Sequence, residues 1–276
     1  MARVIEPAGG NDVRRAAELS ASIEGIGFWS QGLPTWDAAR AYVTGAALPD
    51  VALARPSPQL LAPNERRRAP ESVAVALEVA LAACTAAGRD PASLPSVFAS
   101  MHGDLAITDY MCATLSADPA AISPTRFHNS VHNAAAGYWT IGAGCVQPAT
   151  ALSSFDATFA QGLLEALVQL HAGAPAVLLV AYDAPSAGPL AQVSRSSGLL
   201  GGALVLSQPP LPGRPRIRCT LRDAQAPPVD GRLAALSGGN AMAPMLPLFT
   251  ALASGDDLVC LHAGPGRALR VEISHA

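Results

Sequence analysis

The 276-residue chain has a composition that excludes several classes of protein chemistry. Half of the residues are hydrophobic and only 14% are charged, against roughly a quarter in an average globular domain. The formal net charge is -3, and all 18 basic residues are arginine. Because lysine is absent, Schiff-base chemistry, a P-loop lysine and a serine–lysine dyad are excluded. The arginines look scattered, which predicts no basic stripe and no nucleic-acid partner.

The sequence favours one domain covering 1–276, since it contains no repeat with a period of roughly 20 to 50 residues. No apolar stretch reaches the roughly 20 residues of a membrane span. The start of the chain lacks the apolar core of a secretory signal, so we expect a cytoplasmic protein. A surface so poor in charge also predicts a large apolar face that is buried against another subunit.

The hydrophobic pattern predicts strands that alternate with helices through the first half of the domain, 21–190. Before it, 1–20 is a polar extension with a short helix at 12–19. The elements predicted next are a strand at 23–28, a short helix capped by Thr35 and ending at Tyr42, a surface loop at 48–63, a buried helix from Pro70 to a stop at Gly88, a strand at 96–101, and helices at 107–115 and 128–139. A strand at 150–155, a helix at 156–171 and a strand at 176–182 complete this half. The alternation predicts an α/β core with a largely parallel sheet.

The second half, 191–276, reads as a shortened copy of the same layered plan, with no separate linker. The predicted elements are strands at 199–206 and 217–223, a helix at 242–253, and strands at 257–261 and 268–273. We therefore expect an α/β protein with an abbreviated C-terminal half.

The stretch TALSSFDATFAQGLLEALVQL, 150–170, has the layout of a segment that carries a nucleophile, since an apolar strand turns sharply into a helix. The residue at the turn is Asp156. There its carboxylate can accept backbone N–H bonds from the helix start, and the helix dipole favours its charge. A cysteine at the same place would have a stabilised thiolate. The sequence therefore places an acid where a nucleophile would be activated.

Other reactive residues lack suitable partners in sequence. His128 and His132 lie four residues apart and would share a helix face, which is the spacing of a metal pair, but neither an adjacent glutamate nor a third ligand is near. Cys145 or Cys112 could form a nucleophilic pair with one of these histidines, although Cys145 falls in a loop and Cys112 inside a helix. The five cysteines are widely spread and predict neither a disulfide framework nor a zinc site. A serine hydrolase is not indicated, because no GxSxG motif occurs.

The one dense basic cluster in the sequence is Arg66, Arg67 and Arg68. It could contact an acidic partner such as a carrier protein, or it could be an ordinary solvated surface.

The segment HNAAAGYWTIGAGCVQPATALSSFDATFAQGLLEAL, 132–167, resembles the active-site region of β-ketoacyl synthases. In that register the family's nucleophilic cysteine corresponds to Asp156. The other matching positions are Asn133, Ala135, Ala136 and Gly137 on the N-x-A-A-G helix, Pro148 on the loop proline, Glu165 and Ala166 on the following helix, and Gly25, Ile26 and Gly27 on the opening strand. Within the family, the segment is similar to the chain length factors of aryl polyene and related pigment clusters.

The resemblance implies a thiolase-like layered α/β/α/β/α fold and, through its departures, an inactive site. A condensing synthase uses a cysteine thioester, two histidines and a supporting lysine. This chain has Asp156 for the cysteine, no EAHGTGT-like segment, Asn240 after the glycine where the second histidine would stand, and no lysine. A carboxylate holds no stable thioester and repels a malonyl carboxylate. The resemblance therefore implies a catalytically inert subunit that needs no cofactor or metal.

The family pairs about a two-fold axis through the strand before the nucleophile, so an inert subunit can shape the acyl tunnel of an active one. The implied partners are an active ketosynthase and an acyl carrier protein in fatty acid or polyketide-type biosynthesis. The carrier contact would fall on Arg66, Arg67 and Arg68. The tunnel candidates are Phe155, Phe159, Tyr138, Trp139 and Met111.

Two other functions remain compatible with the sequence. The chain could be a stand-alone acyl-transfer or thioester-hydrolysing enzyme that uses Asp156 or a cysteine–histidine pair. It could also be a homodimeric scaffold that binds a carrier protein without forming a tunnel.

Overall fold

The computed structural model describes residues 19–50 and 55–275, which form nine α-helices and eight β-strands. The helices are α1 (Trp36–Val43), α2 (Pro63–Arg68), α3 (Glu71–Ala87), α4 (Leu105–Ala117), α5 (Pro124–His128), α6 (Ala134–Gly142), α7 (Thr158–His171), α8 (Gly231–Ser237) and α9 (Leu246–Ser254). The strands are β1 (Leu19–Ser30), β2 (Ser96–Ala99), β3 (Ala149–Leu152), β4 (Ala176–Asp183), β5 (Leu200–Ser207), β6 (Arg216–Asp223), β7 (Leu258–Gly264) and β8 (Arg267–Ser274).

All eight strands belong to one sheet with the order β3-β2-β4-β5-β1-β6-β8-β7. Only β3, β2 and β4 run parallel to each other, and the remaining neighbours are antiparallel. The prediction of a largely parallel sheet was therefore wrong for the sheet as a whole. The strand–helix alternation that favours parallel pairing extends only to β4, and hairpin-like connections dominate after it.

Strands β2, β4, β5 and β1 are buried between helices on both faces of the sheet. Helix α3 packs on one face and α7 on the other, with a separate buried apolar cluster on each side. The contact between α3 and β1 is close because β1 has no side chain at Gly25 and Gly27. A Cβ at Gly27 would lie 2.0 Å from the backbone oxygen of Val79, and one at Gly25 would lie 2.2 Å from that of Ala83. The Gly-Ile-Gly sequence thus allows helix backbone to approach strand backbone.

At the far end of the same sheet, β7 packs against α7 and α9. Helix α7 contacts β2 and β4 near one end of the sheet and β7 at the other end, so the sheet curls around this helix. On β6, Ile217 and Cys219 point to the core, whereas Arg218 and Arg222 are exposed. Among 19–50 and 55–275, no helix packs extensively on the outer face of β6 and β8. The layered α/β fold is confirmed, and its second half is abbreviated at this outer face.

Local sequence signals located several element ends correctly. The Thr35 side chain accepts a hydrogen bond from the Ala38 N–H at the start of α1. Helix α3 ends where Gly88 adopts a left-handed conformation with φ of 63°, as a C-terminal glycine favours. Helices α2, α5 and α8 were not predicted. Of the helix predicted at 12–19 only Leu19 falls within the described residues, where it opens β1.

None of the helices in the described part of the chain is long and apolar enough to cross a membrane.

Candidate functional site

The candidate site lies at the turn between β3 and α7. Strand β3 ends at Leu152, and Phe155 has a positive φ of 48°, the one non-glycine residue with that conformation in 19–50 and 55–275. Non-glycine residues pay strain energy for this conformation, of order 1–3 kcal/mol, and persist in it where the surrounding fold imposes it. The sharp turn predicted from sequence is therefore present, with Asp156 directly after its strained residue.

Asp156 does not cap the helix, which corrects the prediction from sequence. Helix α7 begins at Thr158, and its N-cap residue, Ala157, has no side-chain capping bond. Instead, the Thr158 hydroxyl accepts a hydrogen bond from the Ser154 N–H at 2.9 Å. The Asp156 carboxylate lies one residue before the cap and is directed to another element.

That element is β7, where His262 Nε2 lies 3.2 Å from Asp156 Oδ1. The side chains are 69% exposed for Asp156 and 33% exposed for His262. One turn further along α7, the Gln161 side-chain amide donates a hydrogen bond of 2.9 Å to the Ala263 carbonyl. Two neighbouring residues of β7 are thus fixed to the first turns of α7. Sequence reasoning missed His262, because it lies 106 positions from Asp156 and has no motif around it.

A buried polar cluster lies beside this turn, at the carboxyl ends of the parallel strands β2 and β4. Asp183, which is fully buried, accepts hydrogen bonds from Ser100 Oγ at 2.7 Å, the Met101 N–H at 2.9 Å and the His102 N–H at 3.1 Å. Burial raises the pKa of the Asp183 carboxyl to about 6, although these three donors each lower it. Because the carboxylate binds three groups of the loop that follows β2, it fixes the path of that loop.

The cluster also joins the loop that follows β4 and the start of the second half. His102 Nε2 lies 2.6 Å from Ser194 Oγ, while its Nδ1 is buried without a partner. Burial lowers the pKa of His102. Asn240 donates from its side-chain amide to the Asp183 carbonyl at 3.1 Å and the Gly198 carbonyl at 3.0 Å. Where the family resemblance places a histidine after the glycine, this chain therefore has a structural asparagine.

The two cysteines considered as nucleophiles, Cys145 and Cys112, have no hydrogen bond to a histidine among the described residues. The Cys145 thiol is buried and donates to the Leu94 carbonyl at 3.5 Å, and Cys112 is exposed on α4. The predicted shared helix face of His128 and His132 was wrong. His128 ends α5, whereas His132 lies in the turn before α6, with Nε2 2.8 Å from the Ser100 carbonyl oxygen. Within 19–50 and 55–275, no three histidine, cysteine, aspartate or glutamate side chains are grouped closely enough to hold a metal ion.

The five tunnel candidates occupy different places. Phe159 and Trp139 are buried in the clusters on opposite faces of the sheet, so one cavity within this chain cannot be lined by both. Met111 is buried on α4. Tyr138 is half-buried and faces a cavity of about 600 Å³ between α2, α5 and α6, which is also lined by Phe127, Val131 and Ile141. Phe155 is 76% exposed at the turn itself.

The cluster predicted to contact a carrier protein lies on the short helix α2. Arg66 is half-buried and donates to the Leu61 carbonyl at 3.0 Å, Arg67 contacts the Asn64 side chain, and Arg68 is exposed at the rim of the same 600 Å³ cavity. Two of the three guanidinium groups are therefore already bonded to their own helix or the loop before it.

In the described part of the chain, β3 forms one edge of the sheet and β7 the other, and exposed apolar side chains gather in the sequence around β3. Seven of the 13 large hydrophobic residues that are exposed in the described chain fall between 115 and 168. They are Leu115, Phe127, Val131, Ile141, Val146, Phe155 and Val168. An unpaired edge strand with apolar flanks is a surface that can add a strand from another chain.

Comparisons with known proteins agree with this geometry. Three solved complexes contain a chain that resembles this one at low sequence identity. For the ketosynthase ApeO with its chain length factor ApeC from Xenorhabdus doucetiae, identity is 22%, the match covers 92% of this chain and 99% of the other, and the TM-score is 0.73. For the ishigamide ketosynthase/chain length factor, identity is 15%, the match covers 93% of this chain and 99% of the other, and the TM-score is 0.70. For the AntDE:AntF complex of a type II polyketide acyl-carrier protein with its ketosynthase, identity is 12%, the match covers 94% of this chain and 100% of the other, and the TM-score is 0.71.

No curated protein sequence matches the chain. At these identities the structural matches establish the fold alone. At the level of sequence families, residues 36–257, about four fifths of the chain, match the N-terminal domain of β-ketoacyl synthases. The protein therefore belongs to the β-ketoacyl synthase family.

Proposed function

We propose that this protein is a catalytically inactive ketosynthase-like subunit, a chain length factor, that pairs with an active ketosynthase and shapes its acyl tunnel. The observation that carries the proposal is the turn between β3 and α7, where Asp156 follows the strained Phe155 and its carboxylate contacts His262. A position built to present a nucleophile thus holds a carboxylate that is engaged with a neighbouring strand.

The chemistry around Asp156 supports inactivity. Condensation needs a thioester on the nucleophile, and a carboxylate at the turn cannot hold a stable one. Its charge also repels a malonyl carboxylate brought close to it. The sequence supplies no lysine, and Asn240 is occupied in holding three backbone carbonyls. The imidazole beside the turn, His262, is engaged with the Asp156 carboxylate, which supports an inert site.

Pairing is supported by the edge of the sheet. Strand β3 has a free edge, and the apolar side chains at 115–168 would be buried by a partner that adds its own edge strand there. The three similar solved structures each contain a ketosynthase together with a partner chain. A subunit with 14% charged residues and this apolar edge fits a permanent heterodimer better than an isolated monomer.

Two of the tunnel candidates, Phe155 and Tyr138, lie on this side of the molecule. Phe155 is exposed next to β3, and Tyr138 faces the 600 Å³ cavity. We extend the proposal to a tunnel that both subunits line, in polyketide-type biosynthesis of the aryl polyene kind. In this arrangement Phe159 and Trp139 support the fold of each face and do not touch the acyl chain.

The pairing is tested by co-expression with a cysteine-bearing ketosynthase from the same genome. Val146 and Val193 are both exposed valines, at 93% and 82%, but only Val146 lies beside β3. We expect Val146→Arg to reduce recovery of the complex at least tenfold, since an interfacial charge without a partner is strongly unfavourable. Val193→Arg should leave recovery unchanged. Equal recovery of the Val146→Arg and wild-type complexes would refute an interface at this edge.

The tunnel and the inactivity are tested in the reconstituted complex. Phe155→Ala should lengthen the principal product and Phe155→Trp should shorten it, whereas Leu236→Ala, at an exposed site on α8, should change nothing. Asp156→Asn should keep the turnover rate within about twofold, because the carboxylate takes no part in the reaction. A large loss of turnover with the complex intact would favour the alternative in which Asp156 acts as a catalytic residue.

A further inference from the structure

The outer face of β6 and β8 carries a row of arginines, so the prediction from sequence of scattered arginines without a basic stripe was wrong. Arg216, Arg218 and Arg222 alternate along β6, so their side chains share one face of the sheet. In the strand register Arg218 lies beside Glu272 and Thr220 beside Arg270 on β8. We call the side chains of Arg216, Arg218, Arg222 and Arg270 the arginine face. The alternation in RPRIRCTLR was the signal that could have revealed it.

The charge of this region is opposite to that of the rest of the chain. Residues 214–223 and 267–274 contain six arginines and two acidic residues, a formal net charge of +4, while the whole chain has -3. One carboxylate, Glu272, contacts both Arg218 and Arg270. Arg222 is exposed at the end of β6. Within 214–223 and 267–274, arginines therefore outnumber acids by six to two.

Within 19–50 and 55–275, the arginine face is also left uncovered by helices. The inner side of β6 and β8 packs into the core, and within the described ranges no helix packs extensively on the outer side. Arg218 is 52% exposed. Leu258 on β7, which pairs with Glu272, is 49% exposed. A positively charged strip with an exposed leucine beside it has the character of a polar protein interface.

We propose that the arginine face is a docking surface for an acidic protein surface and, within the proposed function on which this step rests, for the acyl carrier protein. From Arg216 to Arg222 the strip extends about 20 Å at roughly 3.3 Å per residue, about the length of a short acidic helix. The arrangement favours a protein over a nucleic acid. Glu272 in the middle of the face repels a continuous row of phosphates, whereas a protein surface can place a hydroxyl or a cation opposite it.

This assignment differs from the one that the sequence suggested. Arg66 and Arg67 on α2 are bonded to Leu61 and Asn64. Arg68 ends α2, and only two residues separate it from the start of α3. The two arginine groups are well separated in sequence and belong to different layers of the fold. Variants in one group are therefore matched controls for variants in the other.

The experiment measures binding of the fluorescently labelled acyl carrier protein to the full heterodimer by anisotropy at 50 and 300 mM NaCl. The test variant is Arg222→Glu with Arg270→Ser, which spares the Arg216 contacts to Ser20 and Gln208. The control variant is Arg67→Glu with Arg68→Ser. We expect the test variant to weaken carrier binding about tenfold or more at low salt and less at high salt, with the control within about twofold. Thermal unfolding and ketosynthase recovery are measured for both variants.

Two results would overturn the proposal. One is weaker carrier binding in the α2 control than in the arginine-face variant. The other is tighter binding of heparin or duplex DNA than of the carrier protein, abolished by the same two substitutions, which would identify a general polyanion surface. Because ketosynthase recovery is measured separately, failure of carrier docking is distinguished from failure of heterodimer formation.

Discussion

The buried carboxyl of Asp183 makes a quantitative prediction about stability and pH. Its pKa is raised to about 6 from an ordinary value of 3.8, mainly because the group is buried. A difference of about two pKa units corresponds to about 3 kcal/mol, at roughly 1.4 kcal/mol per unit. Between these two pKa values the folded chain binds the proton more tightly than the unfolded chain. This group's contribution to the free energy of unfolding therefore falls as the pH rises from about 4 to about 6 and then stays constant.

The assay is urea unfolding of the wild type and of Asp183→Asn at pH 4, 5, 6 and 7. Subtracting the two curves removes the groups that titrate in both proteins. We expect the stability advantage of the wild type over the variant to shrink by about 2.5 kcal/mol between pH 4 and pH 7, somewhat less than the full value because the unfolded carboxyl is already partly ionised at pH 4. A flat difference curve for Asp183→Asn would refute the argument that burial dominates this site.

Two further predictions concern the packing of β1. Gly27→Ala should destabilise the fold by about 3 kcal/mol, because the new Cβ would lie 2.0 Å from a backbone oxygen of α3, which must move. Gly137→Ala, in open space on α6, should instead stabilise by about 0.5–1 kcal/mol in the same chemical denaturation. Arg89→Ala should destabilise by about 2–3 kcal/mol at pH 7, since it leaves the buried Glu24 carboxylate without its bidentate partner. Arg40→Ala, in an exposed pair, should change stability by less than about 0.5 kcal/mol.

The pH dependence of the Glu24 pair has the opposite sign to that of Asp183. Hydrogen bonding from Arg89 lowers the pKa of Glu24 below its ordinary 4.5. The pair therefore contributes its full stability above that value and loses it as the pH falls further. An Arg89→Ala difference that remains the same from pH 7 down to pH 3 would contradict this reasoning.

The sequence predicted the secondary structure well wherever the residues that determine an element lie close together in the chain. The period of the apolar residues, the cap at Thr35 and the stop at Gly88 act within a few residues, and they located α1 and α3. The turn at Asp156 was also recognisable, because a strand followed directly by an amphipathic helix requires a sharp turn whatever lies around it. These features depend on backbone dihedral preferences and side-chain spacing, which the linear sequence contains.

The sequence predicted less of the structure where distant segments meet. His262 contacts Asp156 only because the sheet curls β7 over α7. The arginines of β6 share a face with Arg270 only because the sheet places β6 next to β8. Asp183 likewise binds a loop that is distant from it in the sequence. The order of strands depends on how the two apolar clusters are buried on opposite faces of the sheet, a property of the whole chain. The sequence by itself thus determined the family, the long helices α3 and α7 and the acid at the turn. The tertiary structure alone decided which side chains that acid meets and which face of the protein carries its positive charge.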